Sequence, residues 1–239
     1  MDVRPFLTAR WSHVLLLSYE APEELLRPLV PPPLELDRRE GRPHVSLVAL
    51  RMDAIRIRGW RVPVFGAHAQ VNFRTYVHHN GRPGVWFLRQ LVPSRLVAAV
   101  GRLRYGEPFR AVPIESWVRD SEREVAVEYR VAGRWRAAAT ASRRAGVPDA
   151  GSADGYFLDR YLGYRTDRRG RLTVFRVAHP SWEARELRSL HCDADFGALY
   201  GAAWGVLNDR RPVSAVYAVG SDVSVFPPRP VTDSTNRWP

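Results

Sequence analysis

Short stretches in which apolar and polar residues alternate recur along most of the chain, separated by Gly and Pro. This pattern predicts strands of an antiparallel sheet and few helices. Strands are predicted over residues 45–51, 69–78, 84–91, 112–118, 124–131, 172–178 and 214–226. Between the second and third lies His79-Asn80-Gly81-Arg82-Pro83, and Asn-Gly is a strong hairpin signal because both residues tolerate positive φ. The two flanking strands are therefore expected to pair antiparallel.

Three helices are predicted. The first covers 22–29, with Pro22 early, Glu23 and Glu24 in the first turn, and Leu25, Leu26 and Leu29 apolar; the run Pro31-Pro32-Pro33 stops it. The second covers 154–164, capped by Ser152 or Asp154, with Phe157, Leu158, Tyr161 and Leu162 on its buried face. The third covers 195–207, where Phe196, Leu199, Tyr200, Ala203, Trp204 and Leu207 follow helical spacing. Gly197, Gly201 and Gly205 fall four apart in it. Because glycine costs a helix about 1 kcal/mol relative to alanine, a close neighbour within the domain is expected there in preference to a dimer face. No repeat or low-complexity linker divides the chain, so one domain over 1–228 with a polar tail over 229–239 is expected.

Composition adds exclusions. The chain has 239 residues, 45% of them hydrophobic, enough for a sizeable core. Its one cysteine, Cys192, has no partner for an internal disulfide. The longest charge-free stretch, 196–208, is shorter than the roughly 20 residues of a membrane helix. The run Val14-Leu15-Leu16-Leu17 is too short for a signal-peptide core, so a cytoplasmic protein without a membrane partner is expected. All 36 basic residues are arginine, against 25 acidic residues, for a net charge of +11. The arginines are dispersed beside acidic residues, which points to a solvated surface and away from nucleic-acid binding. The absence of lysine removes Schiff-base catalysis, lysine general bases and the P-loop lysine.

Candidate chemistry is sparse. His78 and His79 are neighbours on a strand and point to opposite faces, and His191-Cys192 has no second pair at ligand spacing; no metal site is expected. No Gly-x-Ser-x-Gly elbow, P-loop or Gly-x-Gly-x-x-Gly segment occurs, so no activated serine and no cofactor is implied. The richest constellation is the strand Gln70 to His78. Period two puts Gln70, Asn72, Arg74, Tyr76 and His78 on one face, and Val71, Phe73, Thr75 and Val77 on the other. Facing into a closed sheet, the polar set suits a carboxylate or other oxyanion; facing water, it is an ordinary solvated surface. On the partner strand Trp86 and Gln90 are expected on one face, Phe87 and Arg89 on the other. His179 stands at a strand end, where functional residues concentrate. In the last strand Asp222 needs a partner if buried, with an arginine the obvious one.

Several stretches together resemble the YqjF-like family of bacterial proteins, grouped with the acetoacetate-decarboxylase-like superfamily. They are Leu25-Leu26-Arg27-Pro28-Leu29-Val30-Pro31-Pro32, Asn72-Phe73-Arg74-Thr75-Tyr76-Val77, Arg82-Pro83-Gly84-Val85-Trp86-Phe87, Phe157-Leu158-Asp159-Arg160-Tyr161, His179-Pro180, and Ser221-Asp222-Val223-Ser224-Val225-Phe226-Pro227-Pro228. They run in family order and cover nearly the whole chain. The resemblance implies a mainly β (α+β) fold: a cone-like antiparallel β-barrel with a few flanking helices and a ligand cavity inside. In the decarboxylase relatives a Gly-x-Pro-Lys-Lys segment supplies the imine-forming lysine and a second lysine that lowers its pKa. The segment that looks equivalent is Gly106-Glu107-Pro108-Phe109-Arg110, where Phe109 has no amine and Arg110 stays protonated. The imine mechanism does not carry over.

Pattern and resemblance together lead to the expectation of a barrel that binds a small organic acid or carbonyl compound. Any catalysis would be lysine-independent acid/base chemistry. Arg74 and Asn72 are expected to hold the anionic group, Tyr76 or His78 to transfer a proton, Trp86 to form an apolar wall, and His179 to contact substrate. The alternative is a non-enzymatic module using the same barrel for ligand sensing or for assembly, a homo-oligomer included.

Overall fold

The computed structural model describes residues 4–62, 66–106 and 108–232. Among them lie eleven strands of five residues or more: β1 (Leu7–Glu20), β2 (Arg42–Ile57), β3 (His68–His79), β4 (Arg82–Val92), β5 (Ile114–Asp120), β6 (Glu124–Val131), β7 (Trp135–Gly146), β8 (Leu162–Thr166), β9 (Leu172–Ala178), β10 (Ala184–Ala194) and β11 (Ser214–Val225). The helices are short: α1 (Glu23–Leu26), α2 (Arg95–Tyr105), α3 (Ala153–Leu158) and α4 (Phe196–Tyr200). The fold is mainly β, as the alternating pattern predicts. Asn80 and Gly81, at φ 48° and 71°, form the expected hairpin turn between β3 and β4.

Seven strands hydrogen-bond in the order β9-β8-β4-β3-β2-β1-β11, and β11 returns to β9 at Val177↔Val225 and Ala178↔Ser224. The sheet thus closes into a ring. Its junctions are antiparallel except β8–β4, which is parallel at Gly163↔Val85 and Tyr164↔Trp86. From β11 the strands β10, β7, β6 and β5 continue as an antiparallel extension. It folds back over the outside of the ring, where Tyr129 donates to the His13 carbonyl (2.5 Å) and Arg51 to Ser116 Oγ (3.2 Å).

Two cores result. The outer one packs Leu15, Leu17, Leu47, Val71 and Phe73 of the ring against Val127, Tyr129 and Ala139 of the extension, with Phe196 and Leu199 of α4. The inner one collects the opposite faces of the same strands, including Leu16, Val48, Leu50, Tyr76 and Val216. Strands buried on both sides lose their alternation, and for that reason the apolar run of β1 escapes a period-two reading. β7 escapes it through its alanines, poor strand formers that suit the narrow space they fill.

The second and third predicted helices are shorter than their spacing suggests. The second ends at Leu158, because Asp159 leaves helical geometry (φ −86°, ψ 72°), and the chain enters β8 at Leu162. In the third, Gly201 (φ 116°) breaks α4 from a 3-10 segment, Ala202–Leu207. The broken halves fold together, and a Cβ on Gly197 would lie 3.5 Å from Gly205 Cα. The first helix splits into α1 and a 3-10 turn, Arg27–Leu29. α2, capped by Ser94 and ended by left-handed Gly106, has no counterpart among the predicted elements. Asp222 is exposed and meets Arg10 at 3.5 Å, so no buried pair forms there. The sheet runs past the expected boundary at 228, since Arg229–Pro230 pair with β9; residues 233–239 of the expected tail lie outside the described residues. No helix is long and apolar enough to cross a membrane among the described residues.

Candidate functional site

β3 points His68, Gln70, Asn72, Arg74 and Tyr76 into the ring and Val71, Phe73 and Val77 into the outer core. Its partner β4 does not alternate so simply. The register runs Asn72↔Gln90, Phe73↔Arg89, then Arg74↔Phe87, which makes Leu88 an extra residue. This bulge exchanges faces. Phe87 and Gln90, expected on opposite sides, both line the interior, whereas Trp86 packs against the outer core.

The interior differs from end to end. One end is plugged by α3, whose cap Ser152 Oγ accepts from Gly155 N (3.1 Å) and whose Phe157 is fully buried. Arg74 Nη2 donates to the Phe157 carbonyl (2.9 Å). The Tyr76 hydroxyl lies 2.5 Å from Ser46 Oγ, itself 2.7 Å from Ser18 Oγ. Arg160 pairs with Asp37 at 2.7 Å, and its guanidinium stands 4.1 Å over the Tyr156 ring. His44 presents its ring to Phe157 at 5.1 Å, and burial holds its pKa below the ordinary histidine value.

The other end opens into a cavity of about 920 Å³. Trp11, Met52, Ile55, Phe87, Phe175 and Val177 belong to its apolar wall, and Gln70, Asn72 and Gln90 form a polar floor. These three amides are buried. Gln70 Nε2 donates to both Asn72 Oδ1 (2.7 Å) and Gln90 Oε1 (3.1 Å). With its oxygen turned to Gln70, Asn72 keeps its NH2 group for another acceptor. Arg165 of β8 also lines the cavity, 5.9 Å from the Phe175 ring centre.

Asn72 is thus the one predicted site residue in the cavity lining. Arg74 and Tyr76 come together at the plugged end, engaged by α3 and Ser46. His78 sits half-buried opposite Glu35, and Trp86 faces outward. His179 stacks on Trp182 at 4.2 Å, and Trp182 is 6.1 Å from Trp11, so His179 reaches the cavity wall only through two indoles. Burial lowers its pKa as well. Arg165 was hidden because Tyr161 and Leu162 continue a helical spacing, and Phe87 because nothing local marks the bulge at Leu88.

Phe109, in the segment that looks equivalent to the lysine-bearing one of the decarboxylases, lines the cavity. Its ring is seated on Gly101 of α2, where a Cβ would come within 2.3 Å of Phe109 Cδ2. The next residue, Arg110, turns away and donates to the Leu199 carbonyl (3.3 Å). Glu107 lies outside the described residues.

The fold resembles that of acetoacetate-decarboxylase-like structures. A structure of acetoacetate decarboxylase matches with a TM-score of 0.66, 18% identity, and coverage of 98% of this chain and 92% of that one. The decarboxylase from Legionella pneumophila subsp. pneumophila str. Philadelphia 1 matches at 0.62, with 17% identity over 97% and 89%. The enduracididine biosynthesis enzyme MppR complexed with pyruvate matches at 0.63, with 16% identity over 98% and 93%. At such identities the likeness is one of fold.

By sequence, the chain belongs to the DUF2071 family, "Uncharacterized conserved protein (COG2071)", whose model matches residues 8–222. Uncharacterized protein YqjF of Bacillus subtilis (strain 168) is 32% identical over 100 residues, a match spanning 41% of this chain and 41% of that relative's length.

Proposed function

We propose that the protein binds a small organic acid or carbonyl compound with a largely apolar body in the ring cavity, its oxygens meeting the amide floor. The observation that carries this reading is the Gln70–Asn72–Gln90 cluster beneath a cavity of about 920 Å³ with apolar walls. Buried amides are stable only with partners, and Gln70 orients Asn72 so that an N–H donor remains for a ligand oxygen. Arg165 adds positive charge in the same wall, which favours a carboxylate. The bound pyruvate of the MppR structure belongs to the same chemical class. With Phe109 at the cavity and no lysine in the chain, any chemistry on the ligand proceeds without an imine.

Isothermal titration with straight-chain carboxylates from butyrate to dodecanoate, and with methyl octyl ketone, tests the reading. Asn72→Leu is expected to weaken decanoate binding about tenfold, while Arg74→Met changes it less than about twofold. If wild-type protein binds none of these at millimolar concentration, the reading fails. The amide floor holds no titratable side chain, and this favours ligand sensing without turnover as a second reading. Conversion of the bound acid, followed by NMR, would count against it.

A further inference from the structure

Two walls of the open cavity carry the most exposed apolar side chains. Among the described residues, Trp60 (80% exposed) and Leu103 (69%) lead the large hydrophobic side chains left in water. Both sit on elements that line the cavity. β2 ends in a hairpin that contributes Ile57, Arg58 and Gly59 to the lining, and α2 contributes Val97, Val100 and Gly101. A single exposed apolar residue is ordinary, but the two largest exposures on walls of one opening point to a partner.

The hairpin holds Trp60 outward. Arg58 and Gly59, at φ 50° and 84°, make its tight turn, and the pairs Ile57↔Trp60 and Arg56↔Arg61 follow. Arg56, Arg58 and Arg61 are exposed and form no ion pair among the described residues; Arg56 Nη1 donates to the Gly59 carbonyl (3.3 Å). The charge of the surrounding segment is one-sided. Residues 54–106 hold nine arginines and neither aspartate nor glutamate, so they contribute nine of the eleven net positive charges. On α2, Arg95 and Arg102 are exposed with Leu96 and Leu103. No acidic side chain lines the cavity among the described residues.

An indole standing in water among arginines free of acidic partners suits the boundary of an anionic bilayer. There the ring sits at headgroup level and guanidinium groups meet lipid phosphates. A second copy of the same surface would bring like charges together. We propose that the Arg56–Arg61 hairpin and α2 dock the cavity mouth on an anionic lipid surface. The expectation of no membrane partner concerns spanning segments, which a surface contact does not need. Docked in this way, the cavity takes an apolar acid from the lipid side; that consequence rests on the reading given above, and the docking does not.

Co-sedimentation of the full chain with lipid vesicles tests the docking. Binding is expected to mixed phosphatidylcholine–phosphatidylglycerol vesicles and not to phosphatidylcholine alone. Trp60→Ala is expected to weaken the partitioning about tenfold and Arg61→Gln about fivefold. Trp117 is the control, an exposed tryptophan absent from the cavity lining and covered by the Arg130 guanidinium; Trp117→Ala should leave partitioning within about twofold. Absence of binding to the mixed vesicles overturns the docking whatever decanoate titration shows. Equal losses in Trp60→Ala and Trp117→Ala overturn it too, by reducing the attraction to net charge. Tighter, Trp60-dependent binding of a single-stranded oligonucleotide overturns it in favour of a nucleic-acid partner.

Discussion

The polar face of β3 meets two different environments inside one ring. Toward the plugged end, Arg74 and Tyr76 are engaged by groups from elsewhere in the chain: the Phe157 carbonyl, Ser46, and the neighbouring Arg160–Asp37 pair. Toward the open end, Gln70 bonds to Asn72 and to Gln90, and the His68 ring bonds to the Gly66 carbonyl nearby in the chain. Both ends come from the same alternation on the same strand. α3 covers Arg74 and Tyr76, whereas Gln70, Asn72 and Gln90 line the cavity.

The largest expected effect lies at the plug. Phe157→Ala removes a fully buried ring that touches Tyr76, Tyr156 and His44, and should lower unfolding free energy by about 4 kcal/mol in urea titration. A loss below about 1 kcal/mol would show that the plug is not a packed core.

Next, Arg160→Met strands the Asp37 carboxylate and should cost about 3 kcal/mol, most of it recovered when Asp37→Leu is added. An additive double variant would mean that the pair contributes no coupling.

At the open end Gln70→Met removes the donor to Asn72 Oδ1 and its bond to Gln90 Oε1, and should cost about 1–2 kcal/mol, with weaker decanoate binding. Tyr76→Phe should cost about 1 kcal/mol or less, because Ser46 keeps its bond to Ser18, and leave decanoate affinity unchanged. A reversed ranking of the two in ligand affinity would erase the contrast between the ends.

The smallest effect is on pH dependence. Burial depresses the pKa of His44 in the folded state, so below about pH 6.5 the unfolded chain binds a proton that the folded chain does not, and stability falls as pH falls. The urea midpoint should drop between pH 7 and pH 5.5, and His44→Leu should flatten part of that slope. His13 and His179, depressed in the same direction, add to the slope with the same sign.

Local chemistry made much of the sheet legible. Glu124–Val131 and Leu172–Ala178 appear with the bounds that alternation predicts, because each is a short strand bordered by turn residues. The Asn80-Gly81 turn was readable for the same reason: its positive φ values are a property of the residues themselves. β1 was not, since burial on both faces erases alternation, and β8 was not, since its entry mimics a helix face. Of the site, the polar face of β3 was readable and its occupancy was not. The bulge at Leu88 brings in Phe87 and Gln90, and α3 arrives from some eighty residues away to occupy Arg74, as the separation of 83 between Arg74 and Phe157 records.

Residue types and their period suffice for a mainly β chain, for a strand with one polar face, and for the exclusion of a lysine imine, because each depends on a side chain's own composition or on neighbours two positions away. Ring closure, the exchange of faces in β4 and the division of β3 into plug and floor are tertiary decisions. They depend on which distant elements meet the same surface, and a polar group becomes a binding group only where that meeting leaves space and no partner.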